Sequence, residues 1–415
     1  MLEGNLLFAQ SGGPTAVINA SAAGVILEAR KHKDQIHHVY GAMNGIVGVF
    51  NEHFIDLDQE SEEEILKLKH TPSSFLGSCR RKLVSPDKDP SDYEKLLEIF
   101  KKYNIRFFFY NGGNDSMDTC NKIAKFMAEK DYAFSCMGIP KTIDNDLACT
   151  DHSPGYPSAA RYIATTMMEI AHDAVTYDIP QITVVEIMGR HAGWLTAASH
   201  LASVYDIGPD LIYVPERAFS QEAMIADVGR ILKEKGKVMI ALSEGIHNED
   251  GVLMAEVFNK DIAKDAFGHA QLGGIGQILG QILEEEFKVK IRTIELSLMQ
   301  RCAAHLASQL DIDECFKSGQ MAVQKAVTGA TALMPGFHRD PISRSYQTEI
   351  VMYPLDQVAN AEDKLPDAYI NEAGNGITDA FVDYLLPLIQ GDLAFPYKDG
   401  LPDFAKLQMI QVPKL

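Results

Sequence analysis

The hydrophobic positions of this chain form short apolar runs that alternate with stretches of helical periodicity. Short apolar runs bounded by turn residues are typical of buried strands, so the alternation predicts an α/β fold of βα units on a mainly parallel sheet. The predicted strands are residues 6–10, 38–43, 105–110, 133–139, 182–187, 211–214, 238–242 and 349–353. The predicted helices are residues 16–31, 93–103, 118–130, 159–177 and 221–234.

Two polar loops follow neighbouring strands of this pattern. Residues 112–116 read Gly-Gly-Asn-Asp-Ser, and residues 141–146 read Lys-Thr-Ile-Asp-Asn-Asp. Open α/β sheets bind ligands at the carboxyl ends of their strands. The second loop supplies a cation, a candidate base and a candidate metal ligand within a single turn. Together the two loops predict a phosphoryl-transfer site.

A glycine loop after the first strand is a third candidate. Residues 11–19 read Ser-Gly-Gly-Pro-Thr-Ala-Val-Ile-Asn, and a small-residue helix follows. Glycines let the backbone approach an anion closely, and a helix N-terminus offers free N–H groups. No G-x-x-x-x-G-K-[ST] sequence occurs, so this is not a Walker A loop. A plain tight turn is the competing interpretation.

Further charged residues lie next to predicted strands and turns. Residues 77–82 read Gly-Ser-Cys-Arg-Arg-Lys, which predicts either a solvated loop or a contact to a phosphorylated ligand. Arg190 follows a glycine after the strand 182–187, and Glu244 follows the strand 238–242. Sugar hydroxyls are natural partners for a carboxylate in such a place.

Composition and charge narrow the classes of function. The chain has 415 residues, 46% of them hydrophobic, and a formal net charge of -19. These values allow two or three domains and argue against a nucleic-acid surface. Six cysteines without a C-x-x-C pair argue against a disulfide framework or a zinc site. No apolar run of about 18 residues occurs, so we expect a soluble, cytoplasmic protein.

Six motifs, taken together, resemble the phosphofructokinases of the glycolytic, Rossmann-like type. They are Ser11-Gly12-Gly13, Gly77-Ser78-Cys79-Arg80, Gly112-Gly113-Asn114-Asp115-Ser116, Lys141-Thr142-Ile143-Asp144-Asn145-Asp146, Met188-Gly189-Arg190 and Ser243-Glu244-Gly245. The resemblance implies two Rossmann-like three-layer α/β domains facing a central cleft, with a C-terminal extension. The donor is expected on residues 1–157 with about 300–345, and the sugar phosphate on residues 158–299 with about 346–415.

The resemblance also implies a reaction and the residues that perform it. Transfer of a phosphoryl group to the 1-hydroxyl of fructose 6-phosphate needs a base for the hydroxyl proton, and Asp144 is the candidate. The remaining catalysis is positioning and charge stabilisation. The groups expected to supply it are Lys141, Arg80, Arg190 and the backbone of Gly12, Gly13 and Gly113.

Asp115 and Lys141 resemble the pyrophosphate-dependent branch, because ATP-dependent members typically have glycine at both positions. A carboxylate ~4 Å from an α-phosphate charge would cost about 4 kcal/mol at an effective dielectric constant near 20. Asp115 is therefore expected to exclude ATP by roughly a thousandfold, with Lys141 compensating the charge of the shorter donor. The competing interpretation is that Asp115 only caps the helix beginning near Ser116.

The sugar and metal contacts are also carried by the resemblance. The positions expected to contact the sugar phosphate are Thr142, Ile143, Asp144, Met188, Gly189, Arg190, Glu244, Arg292 and Arg301. Leu298 stands where many members have histidine or tyrosine, and Gln181 where many have an arginine from a neighbouring subunit. Asn114 replaces a metal-binding aspartate, so Mg²⁺ is expected on Asn114 and Asp146, through oxygen atoms.

The expected activity is reversible phosphoryl transfer from pyrophosphate to fructose 6-phosphate, giving fructose 1,6-bisphosphate and phosphate. The expected protein is a homodimer or homotetramer that binds neither nucleic acid nor membrane. Three alternatives stay open: an ATP-dependent 6-phosphofructokinase, a related kinase acting on a lipid or a dinucleotide, and a non-catalytic sugar-phosphate-binding regulatory subunit. Asp144 argues against the last.

Overall fold

The computed structural model describes residues 2–258, 274–340 and 346–415. Its strands are β1 (Gly4–Gln10), β2 (Ile36–Ala42), β3 (Phe54–Asp56), β4 (Ile105–Gly112), β5 (Ser135–Pro140), β6 (Gln181–Ile187), β7 (Leu211–Tyr213), β8 (Lys237–Ser243), β9 (Lys290–Glu295), β10 (Leu333–Arg339), β11 (Thr348–Pro354), β12 (Tyr397–Lys398) and β13 (Leu401–Pro402). Its α-helices are α1 (Ile18–Ala29), α2 (Gly45–Phe50), α3 (Glu62–Lys67), α4 (Ser91–Lys102), α5 (Asn114–Glu129), α6 (Tyr156–Ala174), α7 (Trp194–Ala197), α8 (Gln221–Lys235), α9 (Met254–Phe258), α10 (Ile275–Phe287), α11 (Met299–Cys302), α12 (Gln309–Val327), α13 (Leu355–Val358) and α14 (Asp379–Leu385). Short 3₁₀ helices lie at Leu57–Gln59, Leu68–His70, Ala198–Tyr205, Ala304–Leu306, Asp367–Tyr369 and Leu386–Ile389.

The predicted strands and helices are all present, with ends shifted by a few residues, and the predicted α/β class is confirmed. Among the elements absent from the predicted strands and helices are β3, β9, β10, α10 and α12. β9 is an edge strand in which no residue is buried, so it lacks the apolar run that the buried strands show. β10 contains Pro335 and Gly336, which are typical of turns rather than strands.

The chain divides into two compact units, and each is made of separate pieces of sequence. The first unit contains residues 1–158, 307–362 and 391–415, and the second contains 159–306 and 363–390. We expected residues from about 346 onward in the second domain, but most of them lie in the first unit. The reason is pairing: β11 is antiparallel to β10 in the first unit's sheet, and Val412 N donates to Phe54 O at 2.9 Å beside β3.

The first unit is a three-layer α/β domain around a seven-stranded sheet. The strand order is β11-β10-β5-β4-β1-β2-β3, and only the outer strands β11 and β3 run antiparallel to their neighbours. Along β4, Phe107 and Phe109 pack with α1 and α12, whereas Phe108 and Tyr110 pack with α4 and α5. Burial on both faces explains why these strands read as continuous apolar runs.

Helices α1 and α12 approach closely through glycine. A Cβ atom at Gly24 would lie 2.1 Å from the backbone oxygen of Phe316, and one at Gly319 would lie 2.1 Å from that of Ser21. Any side chain at either position would push the helices apart. The contact fixes α1, and with it the glycine loop that precedes this helix.

The second unit has a four-stranded parallel sheet in the order β7-β8-β6-β9. Helices α8 and α10 cover one face, where Ile182, Val184 and Ile240 are fully buried. Within residues 2–258, 274–340 and 346–415, no helix combines the length and apolar character needed to cross a membrane.

Candidate active site

Four loops of the first unit are joined by backbone hydrogen bonds near the carboxyl ends of β1, β4 and β5. Lys141 N donates to Gly112 O at 3.1 Å, which links the two polar loops. Gly12 N donates to Cys79 O at 3.2 Å, which links the glycine loop to residues 77–82. Because β5, β4 and β1 are adjacent in the sheet, their loops meet at one edge.

Gly112 lies where the start of α5 meets the glycine loop, residues 11–19. The hydroxyl groups of Ser11 and Ser116 share a hydrogen bond. A Cβ atom on Gly112 would lie 2.0 Å from Ser116 Oγ and 2.8 Å from Ser11 Oγ. Only glycine therefore allows the start of α5 to lie against the glycine loop.

The Lys141 side chain is a buried cation in this group of loops. Lys141 is only 3% exposed, and its Nζ atom donates to Gly13 O at 2.5 Å. A Cβ atom on Gly12 would lie 3.3 Å from the same Nζ atom. The ammonium group thus lies against a glycine-rich backbone, the combination of cation and close backbone that binds phosphate groups.

The loop that carries Asp144 is braced by hydrogen bonds. Asp144 N donates to Thr142 Oγ1 at 3.1 Å, and Thr142 N donates to Pro154 O at 3.2 Å. Asn145 adopts a left-handed conformation with φ 56°, and its Oδ1 atom accepts from Ser153 N at 2.8 Å. These bonds hold the backbone that carries the Asp144 carboxylate, which is itself half-buried.

Asn114 and Asp146 are neighbours and fit a divalent cation. Asn114 Nδ2 donates to the backbone oxygen of Asp146 at 3.3 Å. Asn114 Oδ1 and Asp146 Oδ1 are both buried without a hydrogen-bond partner, and burial raises the pKa of Asp146. Such oxygens are costly unless something binds them. Mg²⁺ commonly takes one or two protein oxygens together with phosphate oxygens and water.

The basic residues at 80–82 have separate surroundings. The Arg81 guanidinium lies 2.7 and 2.9 Å from the Asp92 carboxylate oxygens, away from the other loops. Lys82 Nζ lies 3.0 Å from Asp115 Oδ1. Lys82 was not predicted to be a site residue, and its position in the basic triplet at residues 80–82 was the only indication in the sequence. The predicted site residues that are exposed in this unit are Arg80 and Asp115, and those that are buried are Lys141, Thr142 and Ile143.

In the second unit, the turn after β6 contacts the residue that follows β8. Gly189 N lies 3.3 Å from Glu244 Oε1, and Met188 N donates to Gln300 Oε1 at 3.2 Å. Burial raises the pKa of Glu244, while the positive charge of Arg190 opposes that change. Gln300, which the sequence analysis did not select, therefore supports the same turn.

Arg292 and Arg301, both expected to contact the sugar phosphate, lie at different places. Arg301 follows Gln300 in α11, next to the turn after β6. Arg292 pairs with Thr183 in the middle of the strand, and its guanidinium lies 4.0 Å from the Asp173 carboxylate. At about 3.3 Å per residue, this position is roughly 15 Å along the strand from Met188. The second unit therefore does not bring Arg292 to Glu244.

Comparisons with known proteins agree along the whole chain. Residues 5–324 match the family model of phosphofructokinase. Two proteins named pyrophosphate–fructose 6-phosphate 1-phosphotransferase, from Halomonas elongata and Xanthomonas campestris, are 42% and 43% identical over 100% of this chain and 98% of theirs. The crystal structure of a pyrophosphate-dependent phosphofructokinase from Nitrosospira multiformis has 40% identity and a TM-score of 0.90, covering 100% of this chain and 98% of its own.

Proposed function

The chain belongs to the phosphofructokinase family, and we propose that it transfers a phosphoryl group from pyrophosphate to the 1-hydroxyl of fructose 6-phosphate. The products are fructose 1,6-bisphosphate and phosphate. The reaction is reversible because the phosphoryl-transfer energies of pyrophosphate and the sugar bisphosphate are closer than those of ATP and the sugar bisphosphate. The observation that carries the donor assignment is Lys141, a buried ammonium group against Gly13, with Asp115 in the neighbouring loop.

Asp144 is the proposed base. It accepts the proton of the 1-hydroxyl as that oxygen attacks phosphorus, so it must be ionised and fixed in position. The brace through Thr142 supports this role, because it fixes the backbone on both sides of the carboxylate. Lys141 and the N–H group of Gly13 oppose the charge that develops on the transferred group, and the backbone of Gly12, whose N–H is bonded to Cys79 O, shapes the same loop. Arg80 and Gly113 contribute to the same donor site.

Enzymes of this family generally use a divalent metal ion. The ion we propose is Mg²⁺, held by Oδ1 of Asn114 and Oδ1 of Asp146, because both atoms are buried without a partner. When bound, Mg²⁺ neutralises negative charge on phosphate oxygens. Asn114 adds no charge of its own, so Asp146 supplies the only anionic ligand of the pair.

The sugar phosphate is assigned to a second group of residues. In the second unit, Glu244 accepts hydrogen bonds from sugar hydroxyls, and Met188, Gly189 and Arg190 hold the sugar. Thr142 and Ile143 are the proposed sugar contacts of the first unit. Arg301 binds the 6-phosphate. The support within the second unit is the contact between Gly189 and Glu244, and the placement of Arg301 next to that turn.

Arg292 supports a homo-oligomer, either a homodimer or a homotetramer. Its side chain is 41% exposed and lies far along β9 from Glu244, so we assign it to the 6-phosphate site of a second copy. Mixing inactive Asp144→Asn and Arg292→Ala proteins after partial dissociation should restore activity, because hybrids contain one intact shared site. Absence of recovery in hybrids verified by mass would refute this assignment.

A cytoplasmic location fits the six cysteines, all of which are free thiols.

The donor is tested by assaying the purified protein with fructose 6-phosphate and either pyrophosphate or ATP. Activity with pyrophosphate and Mg²⁺, and little with ATP, is the expected result. Activity with ATP alone would refute the donor assignment. Binding of fructose 6-phosphate without turnover of either donor would refute the enzymatic function.

A further inference from the structure

Lys82 forms an ion pair with the residue to which donor selection is assigned. Its Nζ atom lies 3.0 Å from Asp115 Oδ1, and the two side chains are 53% and 50% exposed. The hydrogen bond that Lys82 donates to Asp115, and then the negative charge of Asp115, raise the pKa of Lys82. The carboxylate of Asp115 is therefore accompanied by a full positive charge at neutral pH.

The backbone that carries each partner of this pair is anchored. Asp115 is the second residue of α5, and its backbone oxygen accepts from Thr119 Oγ1 at 2.8 Å in the first turn of the helix. Lys82 precedes Leu83, which is only 2% exposed and belongs to the core of the first unit. The positive end of the helix and the Lys82 ammonium group both favour the same carboxylate position.

The pair changes the basis on which a nucleotide donor is excluded. Consider an α-phosphate ~4 Å from the carboxylate and ~6 Å from the ammonium group. Its attraction to the ammonium group would cancel about two thirds of its repulsion from the carboxylate, because Coulomb energy is inversely proportional to distance. The thousandfold exclusion expected from a lone carboxylate then falls to roughly tenfold. Charge repulsion is too weak for the task once Lys82 is counted.

We propose that Lys82 is a positioning residue of the donor site that acts by holding and neutralising Asp115. Asp115 then excludes a nucleotide donor by the space that it occupies, and the pair leaves anionic pyrophosphate unopposed. This inference rests on the proposed function, since it concerns the same donor site. Lys82 positions Asp115 and takes no part in the chemical step.

The first experiment separates volume from charge at Asp115. The Lys82→Met/Asp115→Asn double variant removes both charges but keeps both side chains close to their original size. Its kcat/KM for ATP should rise tenfold or less over the wild type. The Asp115→Gly variant opens the space and should raise the same constant by a hundredfold or more. Equal gains in the two variants would overturn the proposal.

The second experiment tests whether Lys82 acts through Asp115. Lys82→Met leaves the carboxylate unopposed, so KM for pyrophosphate should rise about tenfold with little change in kcat, and Lys82→Arg should restore it. The rise should vanish when Lys82→Met is made in an Asp115→Asn background. An equal rise in that background would mean that Lys82 binds the donor directly, which contradicts the proposal.

A matched control is available farther along the chain. Lys88 is exposed and lies outside the four loops, so Lys88→Met should leave KM for both donors unchanged. Failure of the proposed function is distinguishable from failure of this inference. A wild-type protein inactive with pyrophosphate refutes the function, whereas an active protein whose variants behave otherwise than stated refutes only the role of Lys82.

Discussion

Replacing His152 with glutamine is expected to destabilise the first unit at neutral pH and to matter less in alkali. The imidazole is completely buried, with Nδ1 2.9 Å from Asp151 Oδ2 and Nε2 2.9 Å from Glu314 Oε2. Its ring stacks on Phe337 with centroids 4.7 Å apart. Arg339 also contacts Asp151 at 2.9 Å, so one imidazole and one guanidinium face two carboxylates.

The size of the effect follows from the pKa of His152. Burial alone would lower it, but the carboxylates of Glu314 and Asp151 outweigh burial and raise the pKa from 6.5 to about 9. This difference corresponds to about 3 kcal/mol of folding free energy. Because the folded-state pKa is the higher one, the stabilisation is fully present below pH 6.5. It is lost as the pH rises through 9.

The assay is urea unfolding followed by circular dichroism at several pH values between 6 and 10. The free energy of unfolding of His152→Gln, subtracted from that of the wild type, cancels the contributions of titrating groups that do not interact with His152. This difference should shrink by about 3 kcal/mol between pH 6.5 and 10. His305→Gln, at an exposed histidine, is the control and should give a difference near zero throughout. A difference for His152→Gln that stayed constant with pH, or grew in alkali, would refute the reasoning.

Three further predictions concern the donor loops and the thiols. Asp144→Asn should lower kcat by about 10²- to 10⁴-fold with little change in KM for fructose 6-phosphate, and a tenfold loss or less would argue against a base at this position. Asp146→Asn should raise the Mg²⁺ concentration needed for half-maximal activity after treatment with a chelator, whereas Asp87→Asn on an exposed loop should not; an unchanged Mg²⁺ titration would place the ion elsewhere. Cys149, the exposed cysteine, should react first with a thiol reagent in native protein, and Cys120 should react only after unfolding. Rapid native labelling of Cys120, located by peptide mapping, would contradict its burial.

The sequence predicted the positions of the donor loops because the carboxyl ends of adjacent parallel strands must meet. Lys141, Gly12 and Gly13 follow strand ends, and their contact depends mainly on the order β5-β4-β1. The neighbouring positions of Asn114 and Asp146 follow from the same rule. Backbone topology therefore accounts for the part of the candidate site that was foreseen.

Features that depend on loop conformation and distant pairing were not foreseen. The ion pair of Lys82 with Asp115 joins residues 33 positions apart, and no local pattern specifies which acidic residue a flexible lysine will reach. Arg292 was expected with Arg301, but the register of β9 against β6 separates it from the turn at Met188. The last residues of the chain carried no strong periodicity, since Ile410 and Val412 add single backbone hydrogen bonds beside β3 without forming a full strand.

Because the first unit is made of separate pieces of sequence, it cannot finish folding until its later pieces have been synthesised. Residues 159–306 must be made after β5 and before α12 and β10, which belong to the later pieces of the first unit. At about 5–20 residues per second, that interval is roughly 7–30 s. Throughout it, one edge of β5 lacks its partner strand and the face that α12 will cover is open. Unpaired strand edges are aggregation-prone, so the nascent chain is expected to need chaperone protection during this interval.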